Sequence, residues 1–489
     1  MCSFLTLGVE DKDNEFVTSL LEKTCTYEKQ WLPKPMQKLC LLMKDEFRSF
    51  DLGLDVANEE AQVIVGRALE ELFERSKVDP SRVDVLVCMS TQMTSLQQNI
   101  AGQFGFREDV EVMTLGGMGC AAGVAATDFA NKYLGQRETP TTMVVVCHEN
   151  LTRGFYSGLS RESMVTNALF RAGAGAMLFS TDPALEAQAK FRMDYSTRTY
   201  QTDPRSLFAF GYKLDDTGVG GFYLPKKNEL RDISAPAIGS TIARVGRKIL
   251  PLGEKLKYVL SLGKKTPNFK KAIDHLFVHP GGPAVIDGLG EALGLDAAVE
   301  SANAINAYYY YGNTSSSGIL YVMSYTESLQ GIKKGERMLA LGLGLGFESN
   351  GAVMTAMRDC GDVHRAWRHV AEDPSLQPLA VDAFIRGFRN RERMCTLDAS
   401  EERKVRDLIA FAARCGSKDT NPYGPEPSPA EGTSSVDMGD AFDLTSSGSI
   451  DGESYHSDSV VSIEPSYRSC VPSKSPKKTV KAWPTSPIT

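Results

Sequence analysis

The chain has 489 residues, 42% of them hydrophobic and 24% charged, the balance of a globular protein with a sizeable core. Its formal net charge of −7 argues against a general nucleic-acid binder, and no apolar run reaches the ~18–20 residues that cross a bilayer. Ten cysteines with no CxxC pair, in a chain this long, point neither to a disulfide framework nor to a zinc site.

The first residues, MCSFLTLGVEDKDNEF, lack the basic start and apolar core of a signal peptide, so an intracellular protein is expected. From Glu59 to Ser76 the spacing of Ile64, Ala68 and Leu72 predicts a helix. Val83 to Cys88 reads as a buried strand, Gln97 to Phe104 as a helix and Val110 to Leu115 as a strand. A helix over Ala121 to Tyr133 and a β-branched strand over Thr141 to Cys147 follow. The second half repeats this alternation. Strands are expected at His275 to His279, Ala304 to Tyr311 and Arg337 to Phe347, with helices over PAVIDGLGEALGL and SSSGILYVMSYTESL. Strands alternating with helices predict α/β sheets covered on both faces, here as two related halves. From Asp359 to Ala413 the chain is charged and reads as helical, with apolar stripes through Trp367, Val370, Phe384, Ile385 and Phe388. Beyond Gly416, Ser and Pro dominate and large apolar residues are scarce, which predicts disorder. The expected divisions are therefore 1–180, 181–358, a helical extension at 359–416 and a disordered tail at 417–489.

Three loops carry chemistry. TLGGMGCAAG (Thr114 to Gly123) sets Cys120 among glycines between a strand and an Ala-rich helix. At a helix N-terminus a thiol is expected to have a lowered pKa; the segment alone also fits a tight turn around an inert Cys. His279, in FVHPGGPAVID, stands at a strand end, where α/β proteins keep reactive groups, although a lone His is as well explained structurally. Asn313, in YYYYGNTSSSGILY, follows Gly312, and its side chain fits a helix cap equally well. Taken together, the trio suits thioester exchange followed by carbon–carbon bond formation. Cys holds an acyl chain, while His and Asn hydrogen-bond the oxygen that gains charge as CO₂ departs.

Along residues 15 to 358 the sequence resembles the 3-ketoacyl-CoA synthases of very-long-chain fatty acid elongation, relatives of the type III polyketide synthases in the thiolase-like superfamily. The resemblance rests on LGGMGCAAG, VVVCHENLT, NALFRAGAGAMLFS, PNFKKAIDHLFVHPGGPAVID, YGNTSSSGILY and GLGLGFESNGAVM, in that order. It implies a thiolase-like duplicated α/β/α/β/α fold, a homodimer, and acyl-CoA and malonyl-CoA as substrates, with no metal or organic cofactor. Cys120 is then the nucleophile, with His279 and Asn313 as the decarboxylation pair. His275 corresponds to a second, supporting His. Gly344, Gly346, Phe347 and Asn350 border the oxyanion region, and Phe170 falls at a gating position or simply packs in the core. The chain departs from the family with Tyr309, Tyr310 and Tyr311 before the Gly-Asn, and with Pro280 after the His. A polyketide synthase making a pyrone or aromatic product, or an inactive scaffold, are the alternatives. A basic, apolar stretch over 244–265 suggests peripheral membrane contact, which would place the protein in the cytoplasm or against the endoplasmic reticulum.

Overall fold

A computed structural model describes residues 54–388, except 92–95, 151–153, 155, 157, 159, 205, 207–210, 225–226 and 263–264. The expected tail at 417–489 and most of the extension after 388 lie outside the described residues.

Two four-stranded sheets organise the described residues. The first has the order β2-β1-β3-β4, from β1 (Val85–Met89), β2 (Glu111–Leu115), β3 (Thr142–Glu149) and β4 (Gly173–Ser180). In it β1 runs parallel to β2 and β3, while β4 returns antiparallel to β3. All of β1 and β3 is buried, as continuous apolar strands covered on both faces must be. The second sheet has the order β5-β10-β9-β8, from β5 (Phe191–Tyr200), β8 (His275–Val278), β9 (Arg337–Gly344) and β10 (Glu348–Ala356). Again a parallel pair, β8 with β9, is followed by an antiparallel return, β10. A small hairpin of β6 (Gly211–Leu214) and β7 (Gly220–Tyr223) stands apart from both sheets.

Helices complete the layers. α1 (Leu54–Ser76) and α2 (Leu96–Gln103) cover the outer face of the first sheet. Between the sheets run α3 (Ala122–Leu134), packed on β1, β3, β5, β9 and β10, and α10 (Gly318–Tyr325), packed on β4 and β8. A helix held between two sheets has little solvent face, and α3 accordingly is buried throughout from Ala122 to Asp128, exposing only Asn131 and Lys132 in its last turn. α4 (Arg161–Leu169) follows β3 and packs on β7. In the second half, α5 (Lys227–Ile249) packs on β5 and β10 and α9 (Ala302–Tyr311) on β8 and α10, while α6 (Leu252–Leu260) follows α5 in sequence, and α7 (Pro283–Ala292) and α8 (Ala297–Glu300) pack on each other. The result is the α/β/α/β/α order expected, with each central helix leading into the middle strand of its half.

One expected strand is corrected. Residues 304–311 form the end of α9, not a strand. Consecutive tyrosines favour a strand by propensity, but every residue from 302 to 311 is buried or half-buried, so no alternation distinguishes the two. Tertiary packing decides: the rings of Tyr310, Tyr311 and Tyr325 meet Trp367 edge-on, and the Tyr310 hydroxyl donates to the Leu376 carbonyl at 2.6 Å. The segment that supplies Trp367 continues into α11 (Arg368–Glu372) and α12 (Gln377–Gly387). Trp367, Val370 and Phe384 are buried there, while Ile385 and Phe388 are half-buried.

Candidate active site

The C-terminal ends of β1, β2 and β3 lie side by side, with Met89 opposite both Leu115 and Cys147. From the end of β2 the chain turns through Gly117 and Gly119, whose φ values of +81° and +48° favour glycine, and delivers Cys120 one residue before the cap of α3. The other central helix, α10, is preceded by the Asn313–Ser317 turn. Asn313 is fixed by its backbone: its N–H donates to Leu169 O and its carbonyl accepts from Arg171 N–H, both at 2.9 Å. Gly123 lets the two helix starts approach, because a Cβ there would lie 2.5 Å from Ile319 Cγ2 and 2.6 Å from Ser316 O. His279 follows the end of β8, its N–H donating to Leu341 O of β9 at 2.9 Å. Gly318 is packed less tightly: a Cβ would meet Pro280 at 3.1 Å and His279 Cε1 at 3.2 Å, so those side chains would have to give by a few tenths of an ångström.

Cys120, Asn313 and His279 thus converge. The Cys120 thiol donates to Asn313 Oδ1 at 3.8 Å and to Ser315 Oγ at 3.6 Å. Asn313 Oδ1 also accepts Ser315 N–H at 2.8 Å, and one amide hydrogen goes to Gly281 O at 3.2 Å. A primary amide has a second hydrogen to offer. His279 is 1% exposed, and neither ring nitrogen makes a hydrogen bond among the described residues. Burial drives its pKa down to about 3, against a small upward pull from Asn313, so the ring is neutral and carries one N–H donor.

The expected depression of the Cys120 pKa is corrected. Burial pushes the thiol up to about 11; hydrogen bonds to Ser315 and Asn313 work against this, while the Glu149 carboxylate adds to it. The position before α3 does not compensate for lost hydration. Glu149, at the end of β3, and Ser315 are two site residues that sequence reasoning did not single out. Ser315 Oγ donates to Glu149 Oε1 at 3.2 Å, linking the buried carboxylate to the sulfur. Glu149 also accepts from Thr91 N–H at 2.9 Å and Thr91 Oγ1 at 2.7 Å. Burial raises its own pKa, and these bonds draw it back. Glu149 lay inside a quoted block, but nothing in its spacing marked it.

Among the remaining candidates, Gly344 touches the nucleophile loop: a Cβ would sit 2.2 Å from Met118 O and 2.5 Å from Ala121 N. Gly346 and Phe347 follow in left-handed conformation, φ +67° and +49°, with Phe347 buried against Ile233. Asn350 donates to Ala121 O at 3.3 Å, tying β10 to the residue after Cys120. Phe170 is bridged by its backbone to Asn313 and is half-buried. His275 is not brought to the site. It begins β8, four residues before His279 and so roughly 13 Å away along a strand, where its Nε2 pairs with Glu336 at 2.8 Å. A cleft of about 1370 Å³ between α1, β4 and the Tyr321–Glu327 region contains none of the three converging residues.

Known proteins share the family and the fold. The family model described as FAE1/type III polyketide synthase-like protein matches residues 6–266, and that for the C-terminal domain of chalcone and stilbene synthases matches 259–357. The chain is 33% identical to 3-ketoacyl-CoA synthase 8 of Arabidopsis thaliana, over 71% of this chain and 72% of the relative. It is 33% identical to 3-ketoacyl-CoA synthase 17 of the same plant, over 64% and 67%. Among solved structures, the C-terminal type III polyketide synthase domain of Steely1 from Dictyostelium superposes with a TM-score of 0.56 at 20% identity, covering 73% of this chain and 93% of that one. The 1,3,6,8-tetrahydroxynaphthalene synthase of Streptomyces coelicolor A3(2) gives 0.54 at 18%, covering 74% and 94%. These two share the fold.

Proposed function

The chain belongs to the FAE1/type III polyketide synthase-like family, and from that premise we propose how its converging side chains work. It is a condensing acyltransferase of the 3-ketoacyl-CoA synthase kind, joining an acyl-CoA to malonyl-CoA in fatty acid elongation. The finer reading is a long-chain substrate, a homodimer and a seat at a membrane surface.

Cys120 attacks the acyl thioester as its proton is handed through the His279 ring to the departing coenzyme A sulfur, so coenzyme A leaves as the thiol and the ring ends neutral. Malonyl-CoA then places its thioester oxygen between the His279 N–H and the second amide hydrogen of Asn313. Those donors hold the charge that develops as the carboxylate is lost as CO₂. The enolate attacks the acyl carbon, the Cys120–acyl bond breaks, the freed thiolate takes up a proton from solvent, and a 3-oxoacyl-CoA is released. The observation that carries this reading is the meeting of Cys120 and Asn313 with a buried His279 whose ring nitrogens are free of protein partners among the described residues.

Incubation with a ladder of acyl-CoAs and malonyl-CoA should yield 3-oxoacyl-CoA and CO₂, and Cys120→Ser should abolish condensation. His279→Ala should cost about 10²–10³ in malonyl-CoA decarboxylation. Free fatty acid without CO₂ release would point instead to a hydrolase, and pyrone products to the iterative polyketide reaction.

A further inference from the structure

Helix α6 is fastened to the protein by its polar side. Glu254 is buried, and its carboxylate accepts from Lys271 Nζ at 2.6 Å, Lys257 Nζ at 3.1 Å and Asn268 N–H at 3.1 Å. Leu252, Leu256, Val259 and Leu260 follow the i, i+4, i+7, i+8 spacing of a core-facing stripe. Here that stripe lies opposite Glu254 and faces solvent. Leu252 is 81% exposed and Leu260 74%; Leu262, in left-handed conformation just past the helix, is 85% exposed. With Leu256, Tyr258 and Val259 these make six of the thirteen large apolar side chains exposed among the described residues. An exposed apolar patch of this kind marks a contact site.

Charge indicates what covers it. Arg247 and Lys248 stand exposed at the end of α5 and Lys265 beyond α6, while Lys257, also exposed, is shared with Glu254. Two copies of this chain meeting through the patch on a two-fold axis would bring these like charges together. An anionic bilayer would neutralise them. The structure also narrows the basic stretch read from 244–265: Leu250 is buried in the core, Ile249 packs against it, and Arg244 bonds the Arg198 carbonyl.

We propose that Leu252–Leu262 is a lipid-insertion element, its leucines and Val259 entering the interface of an anionic membrane while the neighbouring lysines and arginines meet phosphate headgroups. It deepens, and rests on, the reading of a condensing enzyme at a membrane surface; such a seat would bring the site to substrates that partition into lipid. None of the residues of this element belongs to the catalytic site.

The test is flotation of the full chain with vesicles of phosphatidylcholine plus phosphatidylserine, and of phosphatidylcholine alone. The wild type should float with the mixed vesicles, less with the neutral ones, and less at high salt. Leu256→Asp combined with Leu260→Asp should weaken partition by about tenfold or more, with unchanged condensation of a short, soluble acyl-CoA. Wild-type protein that floats with neither vesicle, or a double variant that floats as well as wild type, overturns the proposal. So does a double variant that alters the oligomeric state by light scattering, because the face would then be a contact between copies. Should the double variant fold poorly, Leu260→Trp supplies the second readout: its emission should shift to the blue with mixed vesicles, and no shift overturns the proposal. Loss of condensation in the wild type would refute the enzymatic reading and leave the flotation result standing.

Discussion

The convergence of Cys120 and Asn313 depends on how closely α3 and α10 approach, and Gly123→Ala tests that dependence. The added Cβ would lie 2.5 Å from Ile319 Cγ2 and 2.6 Å from the Ser316 carbonyl, whereas ordinary contact begins at 3.4 Å. The helix starts must therefore separate by about 0.9 Å, the difference between 3.4 and 2.5 Å. Overpacking of this sort costs about 1–3 kcal/mol, and Ala returns about 1 kcal/mol of helix propensity over Gly. The net loss of stability is thus about 0–2 kcal/mol, a fall of no more than about 8 °C in Tm. Catalysis should suffer far more, because Ser316 is the backbone neighbour of Ser315, which faces the sulfur. A misplacement of ~1 Å costs about 10² in rate. The assay is kcat for condensation beside Tm from thermal unfolding. Gly66→Ala in α1 is the control: a Cβ there meets nothing within 4 Å, so Tm should rise slightly and kcat stay unchanged. A folded Gly123→Ala enzyme with kcat within about threefold of wild type would refute the argument that helix approach sets the site.

Two further tests address charge. Glu149→Gln removes a carboxylate that raises the Cys120 pKa, so the pH midpoint for iodoacetamide alkylation of Cys120 should move down from about 11; Ser315→Ala removes a bond that lowers it and should move the midpoint up. Equal midpoints in both variants would sever the proposed link. In the C-terminal segment, burial lowers the His364 pKa, but the Glu327 and Glu71 carboxylates, at 2.9 and 3.4 Å, prevail and hold it above its ordinary 6.5. Its contribution to stability is therefore complete below about pH 6.5 and lost as pH rises through the raised value. Tm should fall over that range in wild type and flatten in His364→Gln; identical slopes would exclude the histidine as the cause.

The alternation of strands and helices is legible in the amino-acid pattern, because apolar β-branched runs such as Thr141 to Cys147 can only be satisfied inside a covered sheet. The same pattern also singled out Cys120, His279 and Asn313 as candidates for acyl transfer, since the glycines around Cys120 and after His279 mark turns that few other residues permit. Tertiary structure alone decided the rest. Residues 304–311 became helical through packing on Trp367 rather than through their own propensity. Burial reversed the expected shift of the Cys120 thiol, and Glu149 and Ser315 entered the site because strand and helix ends 166 residues apart meet there. His275 left it because four residues of strand are a long distance in space. Helix α6 shows the same division: its periodicity is visible in the chain, but the direction its apolar face points depends on where Glu254 finds its lysines. Spacing records which residues share a face, whereas hydration and contact are properties of the folded whole.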